Sequence, residues 1–314
     1  MSTLTVPEEG DAQRADAVVA MLCGITRSEA AQWIGQQRVT WAQDRTQGRA
    51  AGAPLKKSER LPAGSLIQVA VPAPKDPIKV EAVQDLNLLY QDADIVVVDK
   101  PVGVAAHPSP GWQGSTVIGG LLAAGVEIAT SGAQERRGIV HRLDVGTSGV
   151  MVVAKTERAY SVLKDAFRDR TPTKTYHALV QGLPDPYAGT IDAPIARHPG
   201  HDWRFAVVEG GREARTHYRL IEAYGSASLM HVTLETGRTH QIRVHFSALG
   251  HPCAGDLTYG ADPQLASSLG LTRQWLHAAE LSITHPVTAE HITFGSDYPQ
   301  DLRQALEILT GGDR

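Results

Sequence analysis

At 314 residues the chain has room for one large domain, or for a small one joined to a larger one. Its 42% hydrophobic and 20% charged residues predict a folded chain, and a net charge of −4 argues against a generic nucleic-acid coat. Two distant cysteines, Cys23 and Cys253, suit a reducing compartment; with no basic-then-apolar leader and no run of about 20 apolar residues, a cytoplasmic protein without a membrane span is expected.

Residues 1–13 read as a tail, and from Arg14 the pattern turns helical. Thr26 with Glu29 three residues on makes a capping box, Ala30, Trp33 and Ile34 supply an apolar face, and Gly35 stops the helix. RVTW (38–41) alternates as a short strand does, and SLIQVAVP (65–72) reads as the strand that closes this unit. Between residues 14 and 60 eight basic residues, Arg27 and Arg38 among them, outnumber four acids, so 14–72 forms a locally positive small domain. A nucleic-acid surface and a solvated helical face account for that charge equally well. The proline-rich PAPKDPIK (72–79) places a linker at 73–83 and a second domain at 84–314.

Beyond it, DIVVVDKP (94–101), GVMVVAK (149–155) and TYHALVQG (175–182) read as strands, and 214–225 with 228–237 as a hairpin. Thr156 caps a helix whose Ala159, Val162, Leu163, Ala166 and Phe167 share one face. Thr239 is expected to cap another, carrying Ile242, Phe246 and Leu249 and ending at Gly250. Runs of strands with single helices between them predict an α+β fold with a mixed, largely antiparallel sheet.

The stretch RRGIVHRLDVGTSGVMVVAK (136–155) concentrates the chemistry. His141, Asp144 and Ser148 lie too close in sequence for a hydrolytic triad, which is assembled from distant segments. GTSG lacks the spacing of a phosphate loop, and a strand follows it. His231, His240, His245 and His251 have neither metal-ligand spacing nor partner cysteines, so no metal is expected. What remains is one carboxylate, Asp144, beside Arg142, a cation that favours its ionised form. A plain turn aspartate paired with a surface arginine would look the same.

HRLDVGTSG (141–149) closely resembles the signature of the RluA-type pseudouridine synthases. KTYHALVQG (174–182) is similar to that family's second motif and LETGRTHQIRVHFSALGHP (234–252) to its third. DIVVVDKPVGVAAHP (94–108) and QWLHAAELSITHP (274–286) resemble family segments in the expected order. Residues 14–71 resemble an S4 RNA-binding domain, with WAQDRTQGRAAGAPLKK (41–57) in place of its usual Asn-Gly hairpin.

The resemblance implies a pseudouridine synthase catalytic domain behind an S4-like unit, isomerising uridines within RNA without cofactor or metal. It implies that Asp144 is the essential carboxylate, that Arg142 fills the gap left by an extruded uridine, and that Tyr176 stacks on the base and helps take the C5 proton. Arg243 would pair with Asp144, Ile242 and Leu276 would form apolar walls, and His141 and Thr147 would brace the loop. Arg27 and Arg38 would touch RNA from the S4-like unit. Nine basic residues against four acids between 136 and 174 add the expectation of a basic rim around Asp144. An appended S4-like unit implies 23S ribosomal RNA as partner, with transfer RNA the alternative, and a monomer is expected. Two rivals stay open: an N-glycosidase that releases the base, and a non-catalytic RNA-binding assembly factor.

Overall fold

A computed structural model describes residues 2–25, 27–43, 50–71, 83, 86–108, 112–132 and 136–311. Thr26 of the expected capping box, residues 73–82 of the expected linker and residues 44–49 lie outside these. The chain divides into two compact units, residues up to 77 and from 78 onward.

In the first unit β1 (Ser2–Thr5), β2 (Gln13–Arg14), α1 (Ala15–Cys23), α2 (Arg27–Gly35), β3 (Val39–Gln43), β4 (Arg60–Leu61) and β5 (Leu66–Val69) follow in order. The sheet order is β1-β5-β3, antiparallel throughout, and β2 pairs β4. Residues 1–13 are therefore not a tail: Ser2 to Thr5 pair with Val69 to Leu66, and Val6 is 1% exposed. Alternation over four residues was too short to stand out beside the acidic turn that follows. Val18, Val19, Trp41, Leu61 and Ile67 fill the core, and Gly24, in the left-handed region at φ 64°, ends α1.

The second unit comprises β6 (Asn87–Gln91), β7 (Ile95–Lys100), α3 (Val117–Ala123), β8 (Ser148–Ala154), α4 (Glu157–Arg168), β9 (Thr173–Gln181), β10 (Ala188–Asp192), β11 (Ile195–His198), β12 (His201–Val207), β13 (Arg215–Ala223), β14 (Ala227–Leu234), α5 (Gln241–Ala248), α6 (Pro263–Ser268), β15 (Leu276–Thr284), β16 (His291–Gly295) and α7 (Gln300–Gly311). Its nine-stranded sheet runs β10-β13-β14-β9-β15-β8-β7-β6, with β16 on the far half of β15. The β15–β8 pairing is parallel and the others are antiparallel, which gives the α+β architecture. β11 and β12 form a separate hairpin. Among the described residues no helix is long and apolar enough to cross a membrane.

Strand alternation sends Val96, Val98, Met151, Val153, Tyr176, Ala178, Met230 and Val232 into one core with Ile242 and Phe246 of α5. On the opposite face Ile95, Val97, Val150 and Val152 pack with Ala159 and Leu163 of α4, whose Thr156 accepts the Ala159 N–H at 3.2 Å. Thr239 does not cap α5. His240 holds that position at φ 56°, without a side-chain capping bond, because its imidazole is engaged elsewhere. Gly149, at φ 116°, lets β8 approach β15, for a Cβ there would lie 2.2 Å from the Ala278 carbonyl oxygen.

Candidate active site

A cleft of about 480 Å³ is lined by the 141–147 loop, Tyr176 and the segment 234–243. Asp144 sits in it at the entrance to β8, on a loop gripped through successive carbonyls. The Thr147 N–H donates to the Asp144 carbonyl at 3.0 Å, Gly103 N–H to that of Val145 at 2.9 Å, and Arg273 Nη1 to that of Gly146 at 3.0 Å. Lys100, fully buried, donates its Nζ to the carbonyls of Pro101 and Val104 at 2.9 Å and of Val145 at 3.4 Å. Burial pushes the Lys100 ammonium down to about 7, against the pull of Asp144. Thr147 is buried, and its hydroxyl accepts from Gln274 Nε2 at 3.3 Å.

Arg243, on the first turn of α5, reaches Asp144 Oδ2 with Nη1 at 3.4 Å. Its tight partner is a different carboxylate: Nε and Nη2 donate to the two oxygens of Asp256 at 2.6 and 2.9 Å. Burial works against the guanidinium charge, but the hydrogen bonds and charge of Asp256, with Asp144, outweigh it and keep Arg243 protonated. The Tyr259 ring lies 4.8 Å from the same guanidinium. Tyr176 projects from β9 into the cleft, and burial, then the charge of Asp144, raises its phenol so that it stays neutral. Ile242 and Leu276 line the cleft as buried side chains.

A family model described as RNA pseudouridylate synthase matches residues 94–248. A Mycobacterium bovis protein named as an uncharacterized RNA pseudouridine synthase is 54% identical over 98% of both chains. The chain belongs to this family and is an RNA pseudouridine synthase, an isomerase. The synthase is also 37% identical to ribosomal large subunit pseudouridine synthase D of Nitrosomonas europaea, over 98% of this chain and 87% of that one. Among solved structures, human RNA pseudouridylate synthase domain containing 4 is similar with a TM-score of 0.57 and 26% identity, over 71% of this chain and 93% of that one.

In the synthase Arg142 lies exposed at the cleft and hydrogen-bonds to none of the described residues. His141 stacks on Phe167 with centroids 4.5 Å apart, and its Nε2 accepts the Val152 N–H at 3.1 Å. Burial, then Lys174, pushes its imidazole down to about 3. Ser148 bonds His277 Nδ1 at 3.0 Å, so Ser148, His141 and Asp144 form no relay. Of the expected rim, Arg142, Arg168, Arg170 and Lys174 line the cleft, joined by Arg238 from the loop before α5. Arg136, Arg137, Lys155, Arg158 and Lys164 do not line it; Lys155 instead donates to the Asp92 carbonyl. Arg168 is paired with Asp165 and Asp169, and Arg170 with Glu213.

In the first unit Arg27 is exposed and Arg38 half-buried, bonded to Asp16 at 3.1 Å and Gln36 at 2.9 Å respectively. Sequence reasoning missed Asp256, Lys100 and Arg273, whose contacts span from one residue to more than one hundred. It also set His240 aside as an isolated histidine, and this one lines the cleft, with Nε2 3.9 Å from Asp144 Oδ1.

Proposed function

We propose that this synthase converts uridines of large-subunit ribosomal RNA to pseudouridine, with Asp144 as its essential carboxylate. The observation that carries the reading is the state of the carboxylates. Glu235 also lines the cleft, but its oxygens are taken by Arg215 Nη1 at 2.8 Å and His217 Nε2 at 2.7 Å. Asp256 spends both oxygens on Arg243. Asp144 shares one oxygen at 3.4 Å and is the carboxylate left able to react.

In the isomerisation the N1–C1′ bond breaks, the uracil turns, the C5–C1′ bond forms, and the C5 proton is lost while N1 gains one. Arg142, exposed and cationic, would enter the stack vacated by the target nucleotide and meet its phosphates. Tyr176, held neutral, would serve as a flat wall against the base and not as a resting phenolate base. Arg168, Arg170, Lys174 and Arg238 would hold the backbone at the mouth. The first unit, with Arg27 exposed and Arg38 half-buried, is assigned to S4-like RNA contacts, and the large-subunit substrate rests on relatives named for that RNA.

The test is tritium release from 23S ribosomal RNA labelled at uridine C5. Wild type is expected to release tritium to water without free uracil, and Asp144→Asn to abolish release while RNA binding stays within about three-fold. Free uracil would point to a glycosidase, and full turnover by the variant would remove Asp144 from its role.

A further inference from the structure

Asp144 is held at Oδ2 by Arg243, which leaves the direction of Oδ1 to be set by something else. The group facing Oδ1 is His240 Nε2, 3.9 Å away. His240 stands at φ 56°, a region that side chains other than glycine enter at a cost and that Asn, Asp and His tolerate best. That backbone is what aims the imidazole into the cleft and away from the N–H groups of α5. Strain of this kind at a reactive centre invites a functional explanation.

The hydrogen bonds behind the ring decide which nitrogen carries the proton. His240 Nδ1 lies 2.8 Å from the Tyr259 hydroxyl. That hydroxyl oxygen accepts the Phe205 N–H at 3.2 Å. A phenol has one proton to give, and among the described residues His240 Nδ1 is the acceptor within reach. If Nδ1 carried hydrogen instead, Tyr259 would accept twice and its own proton would have no partner. Burial keeps the phenol protonated and lowers the imidazole, in line with a neutral ring. Two guanidinium groups, Arg243 at 4.8 Å and Arg204 at 5.4 Å, hold the Tyr259 ring in place. The neutral ring therefore carries its hydrogen on Nε2, pointed at Asp144.

We propose that His240 is a positioning residue: its Nε2–H donates to Asp144 Oδ1 in the substrate complex, and Tyr259 together with the Phe205 backbone fixes the tautomer that makes this possible. The inference rests on Asp144 being the reacting carboxylate. A gap of 3.9 Å closes to hydrogen-bond length with a movement of about 1 Å, of the kind active sites make when substrate enters. A neutral donor on one oxygen and a cation already committed to Asp256 on the other fix the plane of the carboxylate without neutralising it. Phe205 sits on β12 with its ring edge-on to His240 at 5.8 Å, so the β11–β12 hairpin is mechanically tied to the carboxylate.

His240→Asn keeps a side chain suited to the backbone but places no donor where Nε2 was, whereas His240→Gln restores one there. The Asn variant is expected to lose roughly 10- to 100-fold in kcat for tritium release with KM within about three-fold, and the Gln variant to recover most of it. Equal turnover in the two variants would overturn the proposal. Nitrogen-15 NMR of the histidines gives an answer that needs neither turnover nor a folded Asn variant. His240 should show hydrogen on Nε2 in the wild type and a mixed tautomer in Tyr259→Phe; hydrogen on Nδ1 in the wild type would refute it. Failure of wild type to release tritium would instead sink the functional reading, with the tautomer measurement still deciding the role of Tyr259.

Discussion

Lys100→Met is the most exacting test of the scaffold under Asp144. Lys100 is wholly buried, and burial moves its ammonium from the ordinary 10.5 to about 7, with Asp144 raising it, Arg273 lowering it and Asp99 raising it. Between about pH 7 and 10.5 the unfolded chain binds a proton at this site that the folded chain has released. Stability therefore rises with pH across this window, by up to about 1.4 kcal/mol per pH unit and on the order of 5 kcal/mol in all. Below pH 7 both states are protonated and the fold carries the full cost of the buried charge. Methionine has nearly the same shape and does not titrate, but it leaves the carbonyls of Pro101, Val104 and Val145 short of a donor, a loss that offsets the curve without tilting it. Urea unfolding of wild type and variant from pH 7 to 9 should diverge by about 2–3 kcal/mol, or about 1 M in midpoint at a slope of 2–3 kcal/mol per M. Parallel curves over that range would refute the buried titration.

Asp256→Asn breaks a pair whose partners are almost wholly buried, and should cost about 3–5 kcal/mol, lowering Tm by roughly 6–15 °C; melting within 2 °C of wild type would show that Arg243 finds another anchor. Arg142→Ala should leave Tm within about 1 °C, since the residue is exposed, while slowing single-turnover conversion of structured RNA more than of single strands. An equal effect on both substrates would argue against its entering the stack. Gly149→Ala drives a Cβ to 2.2 Å from the Ala278 carbonyl oxygen at φ 116°, and is expected to cost more than about 3 kcal/mol and to yield little soluble protein. Ordinary yield and melting would mean that β8 and β15 can part without penalty.

What was legible in the sequence was what local chemistry decides. Thr156 caps α4 as the Thr-then-amphipathic pattern indicates, and β7, β8, β9 and the β13–β14 hairpin stand where their apolar runs place them. Asp144, Tyr176 and Arg243, singled out through motifs that resemble a known arrangement, line one cleft. Long-range pairing was not legible: nothing in the spacing of Arg243 and Asp256 announces a bidentate ion pair, and Lys100 reads as the polar end of a strand until three carbonyls converge on it. Thr239 was misread as a cap because capping rules count side-chain oxygens and cannot foresee a histidine in a left-handed backbone. His240 was discounted on a different ground: judged by metal-ligand spacing, it fails, and its relevance comes from a tyrosine nineteen residues away.

The order of strands carries a consequence for the timing of synthesis. Asp144 precedes β8 and Tyr176 lies on β9, consecutive strands in the chain joined by α4, yet β15 lies between them in the sheet. A ribosome that has made residues up to 182 has produced both motifs without the strand that seats them side by side. The cleft as it stands can form only once residues 276–284 have been made, because β15 pairs with both β8 and β9. A chain released before residue 276 thus carries Asp144 and Tyr176 without the strand that completes the cleft around them.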